Sequence, residues 1–367
     1  MRSIKKELEY CTTCPKLCRF ACPVANVEYR ESVTPWGKVG MLYFLSKDYV
    51  PKTTENYELI YHCTGCLSCR EFCEHQISVP DILTHGRKLA YEDSRHHKRL
   101  EKGLKNIKKV GSIFKNDLNN KIRSELDAVY FSTSLKAKIF LGCVYTEKHV
   151  EKIRKVIFIL ERLGIDYVGI YSNKEFCCGY PLYSSGFEKE FVNYIIKIKN
   201  NLSGTKKLIA LCPTCAYTLK ALYQQYDNGI KAEVLTFSEF ILPFVKAMAR
   251  NKKKITEHYS YHDPCFMSRY LNQVSEPREL ITTTGAILSE FLWSKKNSVC
   301  CGGGGMFRST NKVISLDMAY KRIEEFKTIG SKAIATSCPT CLNMFKDADP
   351  DIEVIDIIDV VHNFINQ

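Results

Sequence analysis

No apolar run in the 367-residue sequence approaches the roughly 20 residues needed to cross a bilayer; residues 156–160 (VIFIL) and 354–361 stop far short. A transmembrane span is therefore not expected, and only peripheral association with a membrane face remains compatible. The first ten residues (MRSIKKELEY) hold no apolar leader, so the expected setting is reducing and cytoplasmic, if membrane-associated then on the inner face. A phosphate loop is missing as well: Gly302, Gly303, Gly304 and Gly305 are followed by Met306, Phe307 and Arg308 rather than Gly-Lys-Ser/Thr. Cysteine is absent from residues 74–142, yet the chain holds 18 cysteines in all. Their crowding on either side of that gap divides the sequence into a head, a linker and a body.

In the head, Cys63, Cys66, Cys69 and Cys73 follow C-x2-C-x2-C-x3-C, the run that grips [4Fe–4S] cubes in bacterial ferredoxins. Three such cysteines wrap one cube, and the fourth reaches a second one. Cys11, Cys14, Cys18 and Cys22 form the partner set, with Pro23 after the last cysteine. Two departures stand out: Pro15, Lys16 and Leu17 fill a gap that usually holds two residues, and Glu74 stands where proline is usual. On the crossed rule, Cys11, Cys14, Cys18 and Cys73 hold one cubane cluster and Cys63, Cys66, Cys69 and Cys22 the other. A pair of zinc sites also uses four thiolates, but typically from two knuckles rather than a tight triplet plus a remote fourth. Structural disulfides do not suit a reducing compartment.

The body is a repeat, visible when residues 138–244 are laid beside residues 258–364. KIFLGC answers YSYHDPC, FCCG answers VCCG, LIALCPTC answers IATSCPTC, and VLTFSEFILPF answers VIDIIDVVHNF. Each copy supplies five cysteines: Cys143, Cys177, Cys178, Cys212 and Cys215, then Cys265, Cys300, Cys301, Cys338 and Cys341. Five exceed what one cubane or one zinc ion needs, so each set has a spare ligand or an unusual cluster. Cys-Pro at Cys212 and Cys338 puts proline where a helix begins, and a helix N-terminus favours thiolates and anionic clusters. Gly179 and the four glycines after Cys301 allow close backbone approach to a bulky group.

Short apolar runs at 138–141, 167–170 and 208–211 alternate with helical patterns such as 150–163, which predicts an α/β unit in each copy. The head has no strand pattern and is expected to be α-helical, folded around its metal. Leu100, Leu104, Ile107, Val110 and Phe114 recur at helical spacing, which predicts a polar helix over residues 100–126. The expected domains are 1–95, a helical linker at 96–135, and body copies at 136–250 and 251–367.

These residues resemble the CCG domains of the heterodisulfide reductase family, from about Lys138 to the end of the sequence, while the head looks like the ferredoxin part joined to that body in the family's fused, D-type subunit. The resemblance implies a two-[4Fe–4S] ferredoxin-like head on a duplicated CCG body whose five-cysteine sets hold noncubane [4Fe–4S] clusters. It implies catalytic roles for the ten body cysteines in reducing a disulfide such as that of coenzymes M and B, fed by a flavoprotein or b-type cytochrome. Two adjacent centres suit a two-electron reduction, since a cluster commonly passes one electron at a time. The alternative is a noncatalytic conduit, as in related iron–sulfur subunits of glycolate, lactate and glycerol-3-phosphate dehydrogenases.

The formal charge of +13 overstates a cluster-loaded chain, because a cubane with four thiolates carries roughly −2. Nucleic acid is accordingly not an expected partner. The basic stretches at 98–109 and 252–254 read as solvated faces or as docking sites for an acidic partner or anionic lipid. His262, three residues before Cys265, reads as a proton donor or a hydrogen bond to a ligand. His62 and His75 read as packing or supporting groups, His96 and His97 have no ligand spacing, and Arg269 and Arg308 are candidates for binding substrate anions.

Overall fold

The computed structural model describes residues 4–132, 134–227 and 229–367. Among them the head holds no strand. Its longer helices, Lys5–Thr13, Pro35–Ser46 and Val79–Glu92, pack through Leu8, Val39, Leu42, Leu45, Ile82 and Leu83. Local chemistry fixes their starts. Thr34 caps the Pro35–Ser46 helix by accepting from the Gly37 N–H, and Pro35 occupies the first position, where no backbone donor is needed.

The linker departs from the single helix expected. It forms two, Glu101–Val110 and Leu118–Glu125, and Phe114 lies outside both. The break falls at Gly111, which has φ +69° and would drive a Cβ to 1.8 Å from the Lys174 carbonyl oxygen. Its own carbonyl accepts from the backbone N–H groups of Phe176 and Cys177, each at 3.0 Å, and from the Tyr194 hydroxyl at 2.8 Å. The helix therefore ends to clamp the loop that carries the first Cys-Cys pair.

Each body copy is built on a four-stranded parallel sheet. The first comprises β1 (Ala137–Phe140), β2 (Val168–Ile170), β3 (Lys207–Ala210) and β4 (Glu233–Thr236), in the order β2-β1-β3-β4. The second comprises β5 (His258–Tyr261), β6 (Ile287–Ser289), β7 (Ala333–Thr336) and β8 (Val354–Asp356), in the order β6-β5-β7-β8. Registers correspond: Ala137 pairs with Lys207 and Leu208 with Val234, as Tyr259 pairs with Ala333 and Ile334 with Val354. Strand order reverses between β1 and β3, and between β5 and β7. Cys143 and Cys212 follow the carboxyl ends of the first pair, and Cys265 and Cys338 those of the second, at the crevice where such sheets bind ligands.

The copies pack by a pseudo-two-fold exchange. The Val150–Arg162 helix of the first lies on the Ile357–Ile365 helix of the second, and the Phe237–Met248 helix of the first on the Ser275–Thr283 helix of the second. Polar bonds fix the seam: Lys152 and Lys155 reach Asp359 at 2.8 and 2.6 Å, and the Tyr145 hydroxyl donates to Asp356 at 2.6 Å. Burial raises the Asp356 carboxyl from its ordinary 3.8 to about 7, despite the Ile358 N–H and Tyr145 hydroxyl that it accepts from. The folded chain thus favours the protonated acid. That contribution is present below the unfolded value and is lost as pH rises through 7. Asp356→Asn should therefore gain stability relative to the parent between pH 5 and 8, by at most about 4 kcal/mol, in thermal unfolding followed across that range.

Candidate metal centres

All eighteen cysteines are unbridged. In the head, Cys11, Cys14, Cys18 and Cys73 line one cavity, beside Tyr10 and Trp36. Cys22, Cys63 and Cys66 line a second with Lys38, and Cys69 borders both. Cys73 thus sits with the first triplet and Cys22 with the second. Burial, then the neighbouring thiols, pushes Cys11 up to about 12 and Cys18 to about 11, and burial raises Cys69 well above the ordinary thiol range. Thiolates are disfavoured here without a cation, and two grouped sets of four sulfurs are the donor chemistry that iron clusters take.

Lys38 is a site residue that sequence reading passed over, since it lies in an otherwise apolar helix. It is buried, and its ammonium donates to the His62 carbonyl at 2.7 Å and to Cys22 Sγ at 3.6 Å. Burial alone would discharge it, but Cys22, Cys63, Cys69 and Cys66 outweigh that and hold its pKa above the ordinary lysine value. Lys38→Met should make the reduction potential of the inner head centre more negative by on the order of 100 mV in a redox titration, the effect of a unit charge at close range in a medium of intermediate dielectric.

In the body, sulfur contacts run within each set. Cys143 and Cys177 lie 4.0 Å apart, Cys178 and Cys212 each bond Cys215, Cys301 and Cys341 lie 3.2 Å apart, Cys265 bonds Cys300, and Cys338 bonds Cys341. Each Cys-Cys-Gly turn also gives a backbone donor to sulfur, from Gly179 to Cys177 and from Gly302 to Cys300, both at 3.4 Å. Cys212 is held well below the usual thiol range by its bonds with Cys215 and Cys338, and Cys301 by those with Cys300 and Cys341. Nine of the ten body cysteines are buried, and Cys265 alone is half-exposed.

Two further contacts join the sets. The thiols of Cys66 in the head and Cys300 lie within hydrogen-bonding reach, as do those of Cys212 in the first copy and Cys338 in the second. The head therefore abuts the second copy. The glycine run makes that possible: a Cβ at Gly304 would lie 2.3 Å from the Thr64 carbonyl oxygen, and one at Gly305 2.6 Å from that of Cys63. Instead of approaching a bound phosphate, these glycines admit the head's own backbone. Arg269 is engaged here through Nε on the Cys66 carbonyl at 2.6 Å and Nη1 on those of Lys296 and Ser298 at 2.7 and 2.8 Å, while its buried Nη2 has no partner among the described residues. Its Nε bond to Cys66 fastens head to body. Arg308 likewise pairs with Asp347 at 2.6 Å.

The histidines sort by contact. His62 bonds Glu28 at 2.6 Å, His75 stacks on Tyr10, His96 bonds Glu101 at 3.0 Å and His97 faces Glu58 at 3.6 Å. His262 differs, being buried beside Cys301 and Cys341. In the basic stretches, Lys98 and Lys105 pair with Glu101 and Lys108 with Glu190, while Lys252 and Lys254 lie over the Phe364 ring. No described helix is long and apolar enough to cross a membrane.

Comparison with known proteins agrees with this layout. The 4Fe-4S dicluster domain matches residues 7–77, and the cysteine-rich (CCG) domain matches twice, at residues 137–220 and 259–346. A component of the fumarate reductase (CoM/CoB) of Methanothermobacter marburgensis is 25% identical over 97% of this chain and 72% of its own length. A component of the dihydromethanophenazine:CoB–CoM heterodisulfide reductase of Methanosarcina acetivorans is 22% identical over 97% of this chain and 93% of its own length. The EtfAB:quinone oxidoreductase of Syntrophomonas wolfei is 24% identical over 83% of this chain, which spans 46% of that longer protein.

Proposed function

We propose, from the chain's place among iron–sulfur proteins that join a 4Fe-4S dicluster domain to two cysteine-rich domains, that it carries electrons through four clusters and delivers them to a disulfide. The supporting observation is the unbroken succession of sulfur sets. The outer head set adjoins the inner one through Cys69, the inner set meets the second body set at Cys66 and Cys300, and the body sets meet at Cys338 and Cys212. The residues fit iron–sulfur clusters as their resident group: two cubanes in the head and two clusters of noncubane type in the body, which supply one-electron storage.

Cleaving a disulfide takes two electrons and two protons and yields two thiols. Two electron-storing centres in contact can supply both electrons without releasing a half-reduced product. Cys265, the one member of the second set that is not fully buried, is the sulfur an outside disulfide would meet, next in sequence to Phe266, whose ring stacks on Tyr270. The substrate class is a small disulfide such as the heterodisulfide of coenzymes M and B, with a flavoprotein or b-type cytochrome as electron donor. Anaerobic chain containing about sixteen irons, reduced and mixed with that heterodisulfide, should release two thiols per two electrons consumed. Full iron with no thiol released eliminates this substrate class.

The second reading, a conduit serving a flavoprotein, takes support from the likeness to the EtfAB:quinone oxidoreductase. On that reading the reduced chain passes electrons to a quinone and leaves the disulfide intact.

A further inference from the structure

Because the two body copies share strand register, they can be compared position by position. Phe140 stands three residues before Cys143 and pairs with Ala210, which stands two before Cys212. His262 stands three before Cys265, one step beyond the Tyr261–Ala335 pair, and its backbone N–H donates to the Ala335 carbonyl at 2.8 Å. His262 is therefore the counterpart of Phe140. One copy places a hydrocarbon ring where the other places an imidazole.

That imidazole is 1% exposed. Phe345 meets it edge-on at 4.8 Å and Phe291 lies at 6.5 Å, so water is excluded. A ring nitrogen of His262 and the Sγ atoms of Cys301 and Cys341 all lie within 4.8 Å of one another, and the ring is hydrogen-bonded to Cys301. Nδ1 has no partner among the described residues. A buried polar ring costs stability unless its nitrogens are used, and imidazole is the commonest metal ligand among side chains.

Resting on the cluster-bearing reading above, we infer that His262 is a nitrogen partner of the centre held by the second five-cysteine set, and that the first set has no such partner. The two centres are then electronically unequal. A nitrogen ligand, or an N–H donated to a ligating sulfur, raises the potential of an iron–sulfur centre relative to an all-cysteine, apolar surround. The second centre, which abuts the head at Cys300, accordingly fills before the first. An electron is held at the junction of head and body until a second one arrives.

The test uses the full chain loaded anaerobically with iron and sulfide, prepared with natural and with ¹⁵N-labelled histidine, and read by pulsed EPR during a redox titration. The expected result is a label-sensitive nitrogen coupling on one body signal. His262→Phe, the residue the first copy uses, abolishes it and lowers that signal's reduced-to-oxidised ratio about tenfold at fixed potential, equal to about 59 mV for a one-electron couple. His262→Asn replaces His262→Phe in the comparison if the latter loses iron. Identical spectra from labelled and natural protein, or a coupling that survives both substitutions, overturn the inference. Iron counted on the same samples separates the two readings: a body without iron overturns the cluster assignment and this inference with it, whereas full iron without histidine coupling overturns this inference alone.

Discussion

Cys66→Ala should slow electron transfer from head to body by about 100-fold or more while the body keeps its roughly eight irons. Cys66 carries two roles that no other residue duplicates. It lines the inner head cavity with Cys22, Cys63 and Cys69, and its buried thiol bonds Cys300 in the second body copy. Its carbonyl is also the acceptor for Arg269 Nε at 2.6 Å. Alanine leaves that carbonyl in place, so the head stays docked while the inner set loses one sulfur and its contact with Cys300. Electron tunnelling falls exponentially with distance, so the last gap before the body dominates the rate. Rapid-freeze EPR after mixing with a reductant resolves the step. Cys14→Ala, in the outer set, should instead slow entry into the head and leave the Cys66–Cys300 step unchanged. Equal rates for Cys66→Ala and the parent would mean that electrons reach the body without passing the inner head set.

The groupings of sulfur were legible in the sequence because ligand spacing is a local property. Three cysteines two residues apart can only wrap something small, and a repeated Cys-Cys-Gly and Cys-Pro-Thr-Cys announces a doubled unit. The short strands were legible for the same reason: residues 138–141, 167–170 and 208–211 each fall within one residue of β1, β2 and β3. Apolar spacing misled in the linker, where Phe114 continues the helical period but Gly111 leaves the helix to hold Phe176 and Cys177. Helix period reports which face is apolar, not where a carbonyl is needed by a distant loop.

What stayed hidden is long-range. Nothing in the spacing of cysteines says that the head's inner sulfur set meets the sulfurs of the second copy rather than those of the first. The glycine run predicts room for a bulky group, whereas the space at Gly304 and Gly305 is filled by the backbone of Thr64 and Cys63 of the head. Buried cations are hard to read for a related reason. Lys38 and Arg87 stand among residues whose charge would ordinarily mark a solvent face, and only the fold reveals carbonyls and thiols on that side. Phe140 and His262 stand equally far before Cys143 and Cys265, but only the fold shows that His262 lies against Cys301 and Cys341.

Arg87→Met should destabilise the chain by about 3–5 kcal/mol and loosen the head before the body unfolds. The guanidinium is 3% exposed, lies over the Tyr61 ring, and donates to four carbonyls drawn from three parts of the molecule. Nε and Nη2 bond Ile60 at 3.1 and 3.0 Å, Nη2 also bonds Cys63 at 3.1 Å, and Nη1 bonds Ser184 at 2.6 Å and Gly305 at 3.3 Å. Methionine restores the bulk but leaves those buried acceptors without donors, at about 1 kcal/mol or more each. Because Ser184 belongs to the first copy and Gly305 to the second, the damage falls on the junction rather than on either sheet. Thermal unfolding of the anaerobic protein should show an earlier transition, and limited proteolysis should cut between head and body while both body centres retain iron. Arg87→Lys keeps the charge but not the planar fork, and should recover only part of the loss. An Arg87→Met chain that melts with the parent in a single transition would show that the other head–body contacts, those of Arg269, Tyr270 and Lys88 among them, suffice to hold the head.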